Sequence, residues 1–307
     1  MAPLIWKRSK HNIDELQPEH KGNLRYESKE KIGKGSYGKV VRAYDTQTKQ
    51  YVAIKKMALC SNDVKNYVRE VILLKNNTHA NRLKLLDIYV PLDTKSAQSL
   101  NKIYLVTVCM DRSLDAIIED TSISLMQENI AYMTYQVLCA VGHMHKSNLI
   151  HRDLKPENIG VTKSFHVKLL DYGFSRKLSY KMTTNIGSDN YRAPEVLLKR
   201  GYDEKVDLWS VGCVFAELLL HRRVEFNKTG LLDQHKNLEY KWDEHFGDEH
   251  FQKYLNKTDE KVQRYMSGQN ARELLSKLLT YDADKRIDAS NALKQRYVSF
   301  CGENQTK

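Results

Sequence analysis

The sequence predicts an α+β chain of two lobes: a small antiparallel β-sheet lobe with one main helix, and a larger, mainly α-helical lobe. Three observations predict it. β-Rich runs crowd the stretch from Tyr26 to about Met110, helical periodicity takes over after Asp111, and 307 residues at 41% hydrophobic and 28% charged are ample for a sizeable core. In chain order, residues 1–24 are polar and basic with little periodicity and read as a loose N-terminal extension. Lys39 to Tyr44 and Gln50 to Lys56 read as short strands joined by the turn residues from Asp45 to Thr48, and Ile103 to Val108 is another strand. Between them Val64, Val68, Val71 and Ile72 recur at i, i+4, i+7 and i+8, which predicts a helix with that stripe as its apolar face and Leu74 near its edge. Asn129 to His145 has helical spacing and a stop at Lys146-Ser147-Asn148. Leu208 to Leu220 is apolar on nearly all sides and is expected inside the larger lobe. Ala271 to Leu279 and Ala289 to Tyr297 read as two shorter amphipathic helices. A cleft is expected between the lobes.

Lys plus Arg number 49 against 38 Asp plus Glu, a formal charge of +11, which favours anionic partners without naming one. Five cysteines are an odd, scattered set without a C-x-x-C pair, so neither a disulfide framework nor a zinc finger is indicated. The longest apolar run, Val211 to Leu220, is interrupted by Glu217 and is half the length of a membrane span. The start has no signal-peptide core. These features point to an intracellular protein, in cytoplasm or nucleus, with no membrane span. The tyrosines form no stacking pattern for single-stranded nucleic acid, so no nucleic-acid partner is expected. Asp243-Glu-His245 and Asp248-Glu-His250 match no zinc spacing and read as a solvated charged loop.

The chemistry sits in three groups. Ile32, Gly33, Lys34, Gly35, Ser36, Tyr37, Gly38, Lys39 and Val40 form a G-x-G-x-x-G stretch between two strands. Its glycines let the backbone approach phosphates, and its place in a hairpin fits a lid over a nucleotide better than a dinucleotide-binding turn. Alone, that pattern is equally compatible with a flexible hairpin. Lys55, at the end of Val52-Ala-Ile-Lys, is close enough in sequence to pair with nucleotide phosphates, and Glu70 on the following helix can supply its counter-charge. The third group is His151-Arg-Asp-Leu-Lys-Pro-Glu-Asn158, followed 13 residues after its asparagine by Asp171-Tyr-Gly173. Phosphoryl transfer needs a carboxylate to orient a hydroxyl and take its proton, oxygen ligands for Mg²⁺, and a cation for the moving charge. Asp153 can be the base, Lys155 the cation at the γ-phosphate, and Asn158 and Asp171 the metal ligands.

With these groups in this order, the chain resembles a eukaryotic protein kinase from about Tyr26 to Phe300. Ala193-Pro-Glu195, Asp207 to Gly212, and Arg286 as the partner of Glu195 belong to the same resemblance. It implies the protein kinase fold over residues 25–300, with an N-lobe of about 25–108, a C-lobe of about 111–300 and a short tail at 301–307. It implies ATP and Mg²⁺ as cofactors, an adenine site including Ala53, Thr107 as gatekeeper, and a hinge from Val108 to Met110 that includes Cys109. It also implies a stacked column of Leu74, Leu85, His151 and Tyr172. Lys155 implies a Ser/Thr rather than a tyrosine kinase, with protein substrates.

A finer resemblance is to mitogen-activated protein kinases, carried by Arg25-Tyr26, Leu85 to Pro91, Tyr104 to Thr107, Tyr191 to Glu195 and Phe226 to Gln234. It implies an upstream activating kinase, phosphorylation at Thr183, a phosphate pocket of Arg69, Arg152 and Arg176, and a monomeric, proline-directed signalling enzyme. Asn185 stands where that group has the tyrosine of its Thr-x-Tyr switch, Asp189 replaces one of the two arginines that hold the phosphotyrosine, and Asn190 replaces a tryptophan. These departures fit a single-site switch. They also fit constitutive activity, and they motivate a second reading, a pseudokinase or scaffold that binds nucleotide and partners without turnover.

Overall fold

The computed structural model describes residues 25–35, 38–58, 64–76, 78–90, 102–178, 189–224 and 267–303. They form two compact units, a smaller one within Met1–Thr78, Arg82–Asp111 and Asp171–Gly173, and a larger one within His79–Asn81, Arg112–Leu170 and Phe174–Lys307.

The smaller unit is a five-stranded antiparallel sheet with one helix, as expected. Strands β1 (Tyr26–Gly35), β2 (Gly38–Asp45), β3 (Gln50–Ala58), β4 (Leu85–Tyr89) and β5 (Lys102–Val108) lie in the order β1-β2-β3-β5-β4. Period-two alternation sorts their side chains. Val41 and Ala43, Val52 and Ile54, and Tyr104 and Val106 point to one face and make a buried cluster with Tyr26. Tyr89 stacks on both Tyr26 and Tyr104, with ring centroids 5.6 and 4.9 Å away. The β2–β3 turn is closed by Asp45, whose Oδ1 accepts from the Gln47 amide at 3.0 Å, and Lys49 takes a positive φ of 57° to finish it. The Arg25 guanidinium donates to Asp45 at 2.7 Å and holds that carboxyl well below the usual carboxylate range.

Helix α1 (Val64–Lys75) forms where the periodicity places it, but on the opposite face. Val68 and Ile72 are 52% and 50% exposed, while Tyr67, Glu70 and Leu74 are buried. The spacing i, i+3, i+7 of these three follows from Glu70. Its carboxylate must meet Lys55, so the face that carries the ion pair turns inward and residues two positions to either side turn out. Strand β4, not read as a strand from the sequence, lies at the sheet edge with a register shift between Leu85 and Asp87.

The larger unit is mainly helical, with α2 (Leu114–Ile118), α3 (Gln127–Lys146), α4 (Pro194–Leu197), α5 (Lys205–Leu220), α6 (Gly268–Leu278), α7 (Ala289–Ala292) and α8 (Arg296–Glu303). Short strands β6 (Arg112–Ser113), β8 (Ile159–Val161) and β9 (Val167–Leu169) pair antiparallel, as do β7 (Leu149–Ile150) and β10 (Arg176–Lys177). Helix α3 stops at the expected place. Asn148 takes φ 53° and its amide closes on the His145 carbonyl at 2.9 Å. Helix α5 is buried on nearly every side, and Gly212 makes this possible: a Cβ there would lie 2.8 Å from the Leu279 side chain.

The single helix expected over Ala289 to Tyr297 is two. Asp288 caps α7 by accepting from the Asn291 amide at 2.8 Å. The chain then tightens into i to i+3 bonds at Lys294 and Gln295, and the Gln295 carbonyl starts α8 by accepting from Val298 and Ser299. A straight helix would carry Ala289 and Ala292 onto the face of Arg296. The buried residues are Tyr297 and Val298, so the helix axis must break between them. No helix among the described residues is long and apolar enough to cross a membrane.

Candidate active site

In the smaller unit, β1 and β2 form the glycine hairpin, with Gly33 opposite Val40, Lys34 opposite Lys39 and Gly35 opposite Gly38. Ile32 is exposed. Ser36 and Tyr37 lie outside the described residues. The sheet register then brings four of the expected nucleotide residues, Val40, Ala53, Lys55 and Thr107, to one face. Val40 pairs with Lys55, Lys55 with Leu105, and Ala53 with Thr107. Directly opposed residues of a ladder share a face, which is the face turned away from the tyrosine cluster. Cys109 and Met110 follow β5 half-buried, and burial pushes the Cys109 thiol up to about 11. At neutral pH it is therefore a small apolar group rather than a reactive thiolate.

Lys55 Nζ is 2.7 Å from Glu70 Oε1 and 3.3 Å from Asp171 Oδ1, so three of the expected residues meet in this unit. Burial disfavours the Lys55 ammonium, but the two facing carboxylates outweigh it and hold its pKa above the ordinary lysine value. Asp171 adopts φ 51°, a left-handed conformation uncommon for a residue with a Cβ, and its Oδ1 also accepts from the Gly173 amide at 3.2 Å. Its Oδ2 accepts no hydrogen bond from the described residues. Of the expected column, Leu74 and Tyr172 are fully buried and Leu85 half-buried in this unit, while His151 is buried in the larger one.

In the larger unit, Asp153, Lys155 and Asn158 come together. Asn158 Nδ2 donates both to the Asp153 carbonyl and to Asp153 Oδ2, each at 2.8 Å, and Lys155 Nζ is 3.5 Å from the same Oδ2. The turn over Pro156–Asn158 places Asn158 for this, with its amide bonded to the Lys155 carbonyl at 2.9 Å. With its amide nitrogen engaged by Asp153, Asn158 keeps Oδ1 as the atom that could accept a metal. Asn158 Oδ1 and Asp171 Oδ2 are hard oxygen donors, the donor chemistry that suits Mg²⁺. Each residue, taken in its own unit, thus offers donor chemistry that suits the metal that the sequence implies.

Asp207 holds this loop from beneath, a role the sequence did not suggest. On α5 and 1% exposed, it accepts from the His151 amide at 2.8 Å and the Arg152 amide at 2.9 Å, and pairs with His145 Nε2 at 2.9 Å. Burial raises the cost of its charge, yet these bonds keep its pKa below the ordinary value. An aspartate inside an otherwise apolar helix was the available signal, since such a charge needs partners. The clamp supports the strained backbone at Arg152, where φ is 68°.

Of the expected phosphate pocket, Arg152 donates to the Phe174 carbonyl at 2.7 Å and Arg176 sits on β10 opposite Ile150, two residues before Arg152. Arg69 is on α1 in the smaller unit. Thr183, Asn185 and the charged loop from Asp243 to His250 lie outside the described residues. Glu195 and Arg286 meet as a buried bidentate pair at 2.7 and 3.0 Å.

The protein kinase domain family matches residues 26–298 of the chain. The chain is similar to mitogen-activated protein kinase 14 of Xenopus laevis, with 34% identity over 292 residues that cover 90% of this chain and 80% of that protein.

Proposed function

The chain belongs to the protein kinase family and is a protein serine/threonine kinase, and on that premise we propose a mitogen-activated-like enzyme that moves the γ-phosphate of ATP to Ser/Thr of protein substrates. The observation that carries the site assignment is Asn158, whose amide nitrogen donates to both the backbone carbonyl and the Oδ2 of Asp153 and so leaves its own oxygen available to a metal. Asp153 orients the acceptor hydroxyl and takes its proton at its carboxylate. Lys155 offsets charge on the transferred group. The glycine hairpin covers the phosphates, and Lys55, held by Glu70, positions them. Asn158 and Asp171 would hold Mg²⁺, which supplies charge neutralisation on the phosphates. The catalytic domain spans 25–300, with 1–24 and 301–307 as flanking segments. We propose that it acts as an intracellular monomer under an upstream kinase.

The test is a positional-scanning Ser/Thr peptide library with Mg-ATP. Phosphate incorporation is expected, with proline favoured after the acceptor. Thermal stabilisation by Mg-ATP with no incorporation, even after treatment with an upstream kinase, would favour the scaffold reading. Phosphorylation of Thr183 is expected to raise activity through new charge-assisted bonds, since it adds close to two negative charges. Mass spectrometry of the active enzyme should find that residue modified, and full activity with it unmodified would remove the switch. Lys55→Met is expected to lower kcat/KM about a hundredfold or more, because it removes a positioned cation and leaves Glu70 buried without its partner. A steady-state titration of ATP reads this, and an unchanged kcat/KM would speak against phosphate positioning by Lys55.

A further inference from the structure

We infer that Arg223 sets substrate specificity by filling, from within the chain, a guanidinium seat beside the catalytic loop that a basic residue of the substrate would otherwise take. The inference rests on the kinase reading above. Arg223 follows the end of α5 and is met by four side chains from separate parts of the larger unit. Its Nη2 contacts Asp115 of α2 and lies 2.7 Å from Glu157 Oε1. Its Nη1 contacts the Tyr191 hydroxyl and lies 3.4 Å from Glu217 Oε2. Three carboxylates and a phenol thus converge on one cation, and the structure itself displays the ligand chemistry of the seat.

Two further facts place it on the route of a substrate. Glu157 belongs to the turn between Asp153 and Asn158. Tyr191, whose hydroxyl closes the seat, lines with Asp153 and Arg192 one small cavity of about 20 Å³. Because Glu157 lies four residues after Asp153 in the same loop, the seat is set beside the place where an acceptor hydroxyl would meet Asp153. The seat also opens to solvent, because Arg223 is 31% and Glu157 44% exposed in their side chains. An arriving arginine or lysine meets a cation already in place and gains little. Without Arg223, a charge-assisted pair to carboxylates becomes available to the substrate.

The fold does not depend on the pair alone. Glu217 also accepts from the Tyr191 hydroxyl at 3.0 Å and from the Val224 amide at 2.9 Å.

The experiment compares peptides with Arg or Ala fixed in turn at each flanking position, for wild type, Arg223→Ala and Arg223→Gln. The Arg/Ala ratio of transfer is expected to be near one or below throughout for wild type. In both variants it should rise about tenfold at one or two positions, and adding Glu157→Gln should bring it back. Fluorescence polarisation of the same peptides on Arg223→Gln reads the preference without turnover. An unchanged ratio in variants that still phosphorylate the Ala peptides overturns the inference, as does a wild type that already selects Arg strongly at those positions. A wild type that phosphorylates no peptide at all fails the kinase reading instead, and this inference falls with it.

Discussion

Asp153→Ala is expected to lower phosphate transfer by about 10²–10⁴-fold, the usual range for loss of a general base. Asp153 is 5% exposed and its Oδ2 is held by Asn158 and Lys155. The variant therefore removes a group whose geometry the chain has already fixed. Asn158 retains its bond to the residue 153 carbonyl, so the loop keeps part of its support. Single-turnover transfer from labelled ATP isolates the chemical step from binding. Asp153→Asn should be nearly as impaired, because it preserves shape and hydrogen bonding but cannot take the proton. Wild-type rates in the alanine variant would sink the assignment of the base, whatever the peptide used.

Arg286→Ala is expected to cost about 3–5 kcal/mol of unfolding free energy. Arg286 is 2% and Glu195 8% exposed, so truncation strands a buried carboxylate. The guanidinium also donates to the carbonyls of Thr280 at 2.9 Å and Lys205 at 3.0 Å and lies over the Trp209 ring with its Cζ 5.2 Å from the centroid. Several chain segments lose a common tie at once. Urea unfolding of the full chain reads the effect. The double variant Arg286→Met with Glu195→Leu should recover much of it, since apolar residues of similar volume leave no charge unpaired. A single variant as stable as wild type would mean that the carboxylate finds water.

The parts of the site that are contiguous in the chain are legible in the order of residues alone. The run from His151 to Asn158 and the glycine hairpin each hold their chemistry within a few residues, and the strands around Val41 and Val52 alternate plainly. Helix α1 is legible as a helix but not in its facing. Val68 and Ile72 are as apolar as a core stripe, and only the need of Glu70 to face Lys55 turns them outward. The break between α7 and α8 is hidden for a similar reason, since local spacing continues across it while the burial of Tyr297 does not.

Residue types and their order were enough to determine the class of chemistry and the strands around Val41, Val52 and Tyr104, and to nominate the members of each reactive group. Tertiary structure decided which side chains those members answer to: Asp207 beneath the His151–Arg152 backbone, and Arg223 among Asp115, Glu157, Tyr191 and Glu217. Local pattern is set by backbone geometry over a few residues. A charge drawn wholly or partly out of water, in contrast, is satisfied by whatever the fold carries to it, and those partners come from segments up to 108 residues away.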